Sequence, residues 1–269
     1  MFDRLIKSDT PKLVSMRERD IPRVLHIIEQ TDEDDAEAAE EAFARDGLGG
    51  MNVLVVSGEA VGVTGHHIDP ETHGSAWLSW TYLDRNAQGH GLGTTMLNTL
   101  LGRLAAEGVR KIFIDTSDYA ENGRPIYAAA HRMYEEFGAT VEMRIPDYFE
   151  VGETKIVYTL DNPESPAAIT PFDEKPRGLR AVGLDGAPET EDSAQIVWEV
   201  GGFGVEGLDD VMATAREGKA RFVMIALPND VSDLVRGDLE RLGFAREGRL
   251  GDYYFTNLHQ DWWFNRNVI

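Results

Sequence analysis

Along the first 160 residues, stretches in which apolar residues recur every second position alternate with stretches in which they recur every third or fourth position. Two-residue alternation or short apolar runs are typical of strands, whereas apolar residues three and four positions apart are typical of helices. In chain order, the pattern predicts strands at residues 12–19, 51–68 (a pair), 75–83 and 110–117, helices after Asp20 and at 94–106 and 125–137, and closing strands at 140–149 and 154–160.

A proline-rich stretch then divides the chain. Residues 161–176 hold four of the eleven prolines, which predicts a linker between a first domain at 1–160 and a second at 177–269. The second block has a shorter pattern. It predicts strands at 194–204 and 220–228, helices at 208–217 and 231–242, and a closing aromatic hairpin.

The two blocks share an internal repeat. Residues 137–160 can be laid on residues 242–265 without a gap, at an offset of 105. Gly138 then meets Gly243, and the Asp147-Tyr148 pair meets Asp252-Tyr253. The repeat predicts that the second block is a half-sized relative of the first domain.

Composition limits the classes of function. At 42% hydrophobic residues, the 269-residue chain can bury a core, and the lack of cysteine excludes disulfides and thiolate chemistry. A net charge of −21 disfavours nucleic-acid and anionic-membrane partners and favours cationic ones. Eight acidic residues lie within residues 32–46, and their spacing predicts a solvated helix. With no signal peptide or long apolar run, a soluble cytoplasmic protein is expected.

The glycine-rich stretch is "QGHGLG", residues 88–93, here named the glycine loop. Glycines allow a close approach of backbone, and the first N–H groups of the following helix favour an anion such as a pyrophosphate. The spacing departs from the G-x-G-x-x-G dinucleotide fingerprint, and the P-loop lysine is missing.

The glycine loop matches the Q/R-x-x-G-x-G/A signature of the GNAT superfamily of acetyl-CoA-dependent N-acetyltransferases, which residues 12–160 resemble. "AHRMYEEFG", residues 130–138, is similar to a second motif of that family. The resemblance implies an α/β (α+β) fold with a mixed, mostly antiparallel central sheet flanked by helices. A smaller, related C-terminal α/β domain would follow.

The resemblance also implies roles for individual residues. Tyr134 corresponds to the general acid that protonates the leaving thiolate of CoA. A backbone N–H near Tyr82 or Leu83 would face the thioester carbonyl. The pantetheine arm would lie where residues 80–83 diverge from residues 112–115. The residues implied to hold the CoA pyrophosphate are Gln88, Gly89, Gly91, Leu92, Gly93 and Thr94.

The general base is left open. His66 and His67 are candidates, and at most one can face the site because neighbouring strand residues point to opposite faces. Glu121 and Asp84 are further candidates. Tyr127 stands where the family often has an asparagine, which puts one hydrogen bond to CoA in doubt. No cluster has metal-ligand spacing, so no metal is expected.

The function expected is transfer of an acetyl group from acetyl-CoA to a primary amine of a small, cationic molecule, by direct attack in a ternary complex. The alternative is a catalytically silent CoA-binding sensor or scaffold, and a larger acyl group is also open. The second block is expected to be silent, because "LPNDVSDL" stands in place of a glycine loop and Leu239 corresponds to Tyr134. The oligomeric state, including a homodimer, is open.

Overall fold

A computed structural model describes residues 10–162, 178–201 and 204–268. Within these, the first compact unit comprises residues 10–70, 74–140 and 158–162. The second comprises residues 71–73, 141–157, 178–201 and 204–268. Residues 163–176 of the expected linker lie outside the described residues, and the division into domains at 1–160 and 177–269 stays a prediction.

The helices and strands up to residue 161 follow the predicted order. The helices are α1 (Ile21–Glu29), α2 (Glu33–Asp46), α3 (Leu92–Ala106) and α4 (Ala128–Glu136). The strands are β1 (Lys12–Ser15), β2 (Asn52–Val56), β3 (Glu59–Ile68), β4 (Ser75–Leu83), β5 (Lys111–Ser117), β6 (Ala120–Glu121), β7 (Arg124–Pro125), β8 (Thr140–Ile145) and β9 (Lys155–Asp161). Short 3-10 turns lie at Glu18–Asp20 and Arg85–Ala87.

Seven of these strands form one sheet, in the order β1-β2-β3-β4-β5-β9-β8. Strands β1 to β4 are antiparallel neighbours, and β4 pairs with β5 in parallel. The expected mixed, mostly antiparallel α/β fold is confirmed. Helices α1 and α2 bury their apolar stripes in one core cluster, where Ile28 and Phe43 meet Val53 and Val63 of the sheet.

Several predicted boundaries were wrong, among them those of a helix and of the first strand. The helix expected at 125–137 begins only at Ala128, because Arg124 and Pro125 pair with Ala120 and Glu121 in a small hairpin. The first strand ends at Ser15 rather than at residue 19, since a 3-10 turn forms before α1.

The second sheet has the order β12-β10-β11-β13-β15-β14. Its elements are β10 (Gly178–Gly186), β11 (Ala194–Val200), β12 (Gly204–Glu206), α5 (Leu208–Glu217), β13 (Val223–Pro228), α6 (Asn229–Arg241), β14 (Ala245–Phe255) and β15 (Leu258–Asn265). The β10–β11 pair is antiparallel and the β11–β13 pair parallel, as are β3–β4 and β4–β5 in the first sheet. Strand β10 was missed, because its glycines interrupt the alternation.

The internal repeat has a structural counterpart in the backbone before and within the two hairpins. Gly138 and Gly243 end their helices with φ of +87° and +86°. Asp147 and Asp252 both have left-handed φ, at +52° and +53°. Each aspartate accepts a hydrogen bond at Oδ1 from an N–H five residues later, at 2.6 Å and 2.7 Å. The backbone therefore repeats at the offset that the sequence predicted.

The hairpin of residues 141–157 packs within the second unit. Tyr148 is fully buried, and its ring lies 5.5 Å from Phe222 and 6.3 Å from Trp262 and Phe264, between centroids. These aromatic side chains make the hairpin part of the second unit's core.

Candidate acetyl-transfer site

The glycine loop presents bare backbone at the start of α3. Gly89 and Gly91 have left-handed φ of +74° and +72°, which favour glycine. A Cβ built on either would meet no atom within 4 Å, so the space beside this backbone is open. Gly91 is the N-cap of α3, and the first turn of that helix carries no acidic residue. The first helical N–H groups therefore face an electropositive opening suited to an anion.

Gly93 serves a different purpose. It is buried, and a Cβ there would lie 3.0 Å from Met133 Sδ and 3.2 Å from Leu83 Cδ1. A glycine at this position lets α3 begin directly against the end of β4 and against α4. Leu92 is buried and Thr94 exposed, so Leu92 offers the opening only its backbone.

The side chain of Gln88 holds the loop to the strand before it. Its Nε2 donates to the Leu83 carbonyl at 3.2 Å, and the His90 ring donates from Nδ1 to the Gln88 carbonyl at 2.7 Å. The Gln88 side chain thus fixes the loop shape as well as standing exposed at the opening.

Strands β4 and β5 separate beside this loop. Their described pairing runs from Ser75 opposite Lys111 to Leu78 opposite Ile114, although β4 continues to Leu83. The β3–β4 register shifts in the same region, and Trp80 takes a φ of +45°. A bulge of this kind bends a strand away from its neighbour. The gap leaves a strand edge to which an extended chain can bind.

Tyr134 is buried on α4 at this gap. Burial raises the pKa of its phenol well above the usual value. The Asp115 carboxylate raises the pKa further, whereas a hydrogen bond with Thr81 lowers it. The ring centroid lies 6.0 Å from that of Tyr158. The hydroxyl is therefore protonated at neutral pH, as a proton donor must be.

The structure places His66 and His67 elsewhere. They lie opposite Leu78 and Trp77, in the fully paired part of β3 and β4, whereas Leu83 lies opposite Gly62 at the other end. Burial lowers the pKa of His66, so its ring is neutral at neutral pH. Neither histidine is brought together with Tyr134.

The two carboxylates named as further base candidates also differ in setting. Asp84 Oδ2 accepts from Arg23 Nη2 at 2.7 Å and from Gln30 Nε2 at 3.1 Å. Burial raises the pKa of Asp84, but the hydrogen bonds from Gln30, Asn86 and Arg23 outweigh it and leave the pKa lowered. Asp84 thus joins α1 to the turn after β4. Glu121 is exposed on the small hairpin.

The sequence analysis missed a carboxylate–phenol cluster. Asp35 Oδ2 accepts hydrogen bonds from the Tyr82 hydroxyl of β4 and from the Tyr127 hydroxyl at the start of α4, the latter at 2.6 Å. The Tyr127 hydroxyl also lies 2.9 Å from Asp32 Oδ2. One signal was available, since Tyr127 stands where the family often has asparagine.

The site thus combines an open glycine loop at a helix start, two diverging strands and a buried phenol, an arrangement suited to a phosphate-bearing, extended ligand. Residues 16–139 match the family model described as "Acetyltransferase (GNAT) family". These residues therefore form a GNAT acetyltransferase domain, whose chemistry is acetyl transfer from acetyl-CoA. No curated protein sequence matches the chain.

Solved acetyltransferase structures are also similar to the chain. One assigned to the GNAT family, from Desulfovibrio desulfuricans, is 23% identical, with 57% of this chain and 99% of that chain covered and a TM-score of 0.48. The ribosomal-protein-S18-alanine N-acetyltransferase of Escherichia coli is 22% identical over 61% and 99%, with a TM-score of 0.46. An aminoglycoside 6'-N-acetyltransferase complexed with coenzyme A is 14% identical over 56% and 96%, with a TM-score of 0.45.

Among the described residues, no group of three or more histidine or carboxylate side chains could hold a metal ion. In the same part of the chain, no helix is both long and apolar enough to cross a membrane.

Proposed function

We propose that the first domain transfers the acetyl group of acetyl-CoA to a primary amine of a small cationic molecule, by direct attack while both substrates are bound. The observation that carries this proposal is that the bare glycine loop lies beside the divergence of β4 and β5. An anionic pyrophosphate and an extended arm need these two features side by side.

The roles of the binding residues follow from their positions. Backbone N–H groups of Gly89, Gly91, Leu92, Gly93 and Thr94 would hold the pyrophosphate, with the glycines giving access. Gln88 would keep the loop in shape through Leu83. The backbone at Tyr82 and Leu83, beyond the described pairing with β5, would face the thioester carbonyl. Acetyl-CoA supplies the activated acetyl group.

Tyr134 would protonate the leaving sulfur. Burial raises the pKa of its phenol, so the hydroxyl is protonated at neutral pH and has a proton to give to the departing sulfur. A cationic amine is favoured because the chain carries a net charge of −21. The second domain is proposed to be silent, since Leu239 stands in the position that corresponds to Tyr134.

The test is calorimetric titration of the full chain with acetyl-CoA. Wild type should bind with an affinity on the order of micromolar, about −8 kcal/mol. Gly91→Glu should abolish binding, because it strains a left-handed position and places a carboxylate in the anion site. Gly58→Glu is the matched control, with φ of +86° and equally open space in the β2–β3 turn, and it should bind normally.

Turnover is then measured as thiol release with primary amines. Binding without turnover of any amine would replace the enzyme with a CoA sensor. Loss of binding in both glycine variants, or no binding by wild type, would refute the glycine loop as the donor site.

A further inference from the structure

The cluster around Asp35 joins three elements that the chain brings together from distant positions. Asp35 lies in the first turn of α2, Tyr82 on the divergent end of β4, and Tyr127 at the N-cap of α4. Both hydroxyls bind the same carboxylate oxygen, Oδ2. Among the described residues, none donates a hydrogen bond to Oδ1. Oδ1 of Asp35 can therefore accept a hydrogen bond from a ligand.

Among the residues that the structure describes, the carboxylate has no basic side chain as a partner. The side chains that bind it or shift its pKa are two phenols and two further acids, Asp32 and Asp34, and no basic group is among them. A half-buried carboxylate without a positive partner costs free energy, which a bound cation would recover. The missing partner is thus a positive charge that arrives with a ligand.

The position of the cluster connects it to the transfer site. Tyr82 follows Thr81, which hydrogen-bonds the Tyr134 phenol, and the Tyr134 phenol lies close enough to raise the pKa of Tyr82. Asp35 is thus hydrogen-bonded to the strand residue that follows the hydrogen-bond partner of Tyr134.

We propose that Asp35 binds the ammonium group of the acceptor and takes its proton, which makes it the catalytic base of the first domain. Tyr82 and Tyr127 hold its carboxylate in place and leave Oδ1 to the substrate. This inference rests on the proposed function, and it narrows the acceptor to molecules that carry a protonated primary amine.

The reaction balances as follows. The ammonium gives one proton to Asp35, and the amine nitrogen forms a bond to the acetyl carbonyl carbon while the carbon–sulfur bond breaks. The sulfur takes the proton of the Tyr134 phenol. The nitrogen gives a second proton to the Tyr134 phenolate, which restores the phenol. Asp35 releases to solvent the proton that it took from the ammonium group. Each turnover thus yields an amide, a thiol and one proton.

The test compares Asp35→Asn with Asp34→Asn in the full chain. Both remove one negative charge from the same turn of α2, but Asp34 is exposed and lies outside the cluster. The probe amine is 1,4-diaminobutane, titrated calorimetrically into the protein saturated with CoA and then used in the thiol-release assay. Asp35→Asn should weaken diamine binding about 10- to 100-fold, the worth of a charged hydrogen bond, and raise KM equally. Asp34→Asn should change neither much.

A pH profile separates a base from a structural residue. Burial and the nearby Asp32 and Asp34 raise the pKa of Asp35, whereas the hydrogen bonds of Tyr127 and Tyr82 lower it; the net direction is upward. The carboxylate therefore gains its proton at a higher pH than usual as pH falls. Wild-type kcat/KM should decline through that region, and Asp35→Asn should lose this limb while turning over slowly.

Two results would overturn the inference. The first is that Asp35→Asn and Asp34→Asn change diamine affinity and KM equally. The second is that the wild-type protein does not bind the diamine at all. The failure of the proposed function would look different, because it would show as lost acetyl-CoA binding in the calorimetric titration, which Asp35→Asn leaves intact.

Discussion

Helices α3 and α5 each begin after a left-handed glycine, Gly91 with φ of +72° and Gly207 with φ of +73°. In chain order, α3 lies between the parallel-paired β4 and β5, and α5 lies between the parallel-paired β11 and β13. The surroundings differ. A Cβ on Gly91 meets nothing within 4 Å, whereas one on Gly207 would lie 2.5 Å from the Ala181 carbonyl oxygen.

Charge adds a second difference between the helix starts. The first turn of α5 carries Asp209 and Asp210, and that of α3 carries no acid. Two carboxylates at a helix N-terminus occupy the electrostatic role that a bound anion would have. The same backbone turn is thus open and electropositive in one unit, and closed and acidic in the other.

Glycines also precede the helix start in the second unit. Residues 204 and 207, before α5, are glycines with left-handed φ. Glycines are present there, so their number alone does not distinguish the two units. Packing and charge around them do.

The largest effect on turnover is expected at Tyr134, whose counterpart in the second block is Leu239. Tyr134→Phe should reduce kcat about 10²- to 10⁴-fold by removing the proton donor, with unchanged acetyl-CoA affinity. Thiol release and calorimetry measure the two quantities. Tyr158→Phe, which removes a phenol whose ring lies 6.0 Å away, is the control and should keep most of the turnover. Normal turnover of Tyr134→Phe would refute its role.

A substitution at Leu239, the counterpart of Tyr134 in the second unit, should lower the stability of the protein and leave turnover unchanged. Leu239 is fully buried in the core of that unit, so Leu239→Ala should cost about 2–5 kcal/mol. Urea unfolding followed by tryptophan fluorescence measures the loss. Leu234→Ala on the same helix, at 57% exposure, should change little. A fall in kcat without loss of stability in Leu239→Ala would give the second unit a part in catalysis.

The smallest effect tests how closely the two hairpins match. Asp147→Ala and Asp252→Ala should each cost about 1 kcal/mol, because each loses a hydrogen bond to an N–H and keeps a left-handed φ. The matching Asp→Gly variants relieve the φ strain and should cost less. Chemical unfolding of the four variants gives the comparison. Unequal losses at the two turns would mean that the likeness is limited to the backbone.

Local patterns predicted most of the fold. Helix α5 has the predicted bounds, and the order of strand, glycine loop and helix at β4 and α3 was predicted from period and glycine content. Strand β10 and the start of α4 were not, since glycines obscure the first and pairing of Arg124–Pro125 decides the second.

The site was predicted unevenly for a related reason. The roles of the glycine loop and Tyr134 could be expected because motifs carry them within a few residues. The partners of Asp35 lie 47 and 92 residues away in sequence, at Tyr82 and Tyr127, so only the folded chain reveals them. The same holds for Asp84, whose hydrogen bonds to Arg23 and Gln30 depend on the packing of α1.

The aromatic contacts of the 141–157 hairpin bear on biosynthesis. Tyr148 completes its surroundings only after Phe222, Trp262 and Phe264 have been made. At ribosomal speeds, that wait lasts on the order of 5–20 s. During this interval the nascent chain carries an apolar hairpin with its eventual neighbours still unsynthesised, a target for chaperones. In a chain truncated after residue 160, the hairpin would never acquire these aromatic neighbours, and the truncated protein is expected to aggregate.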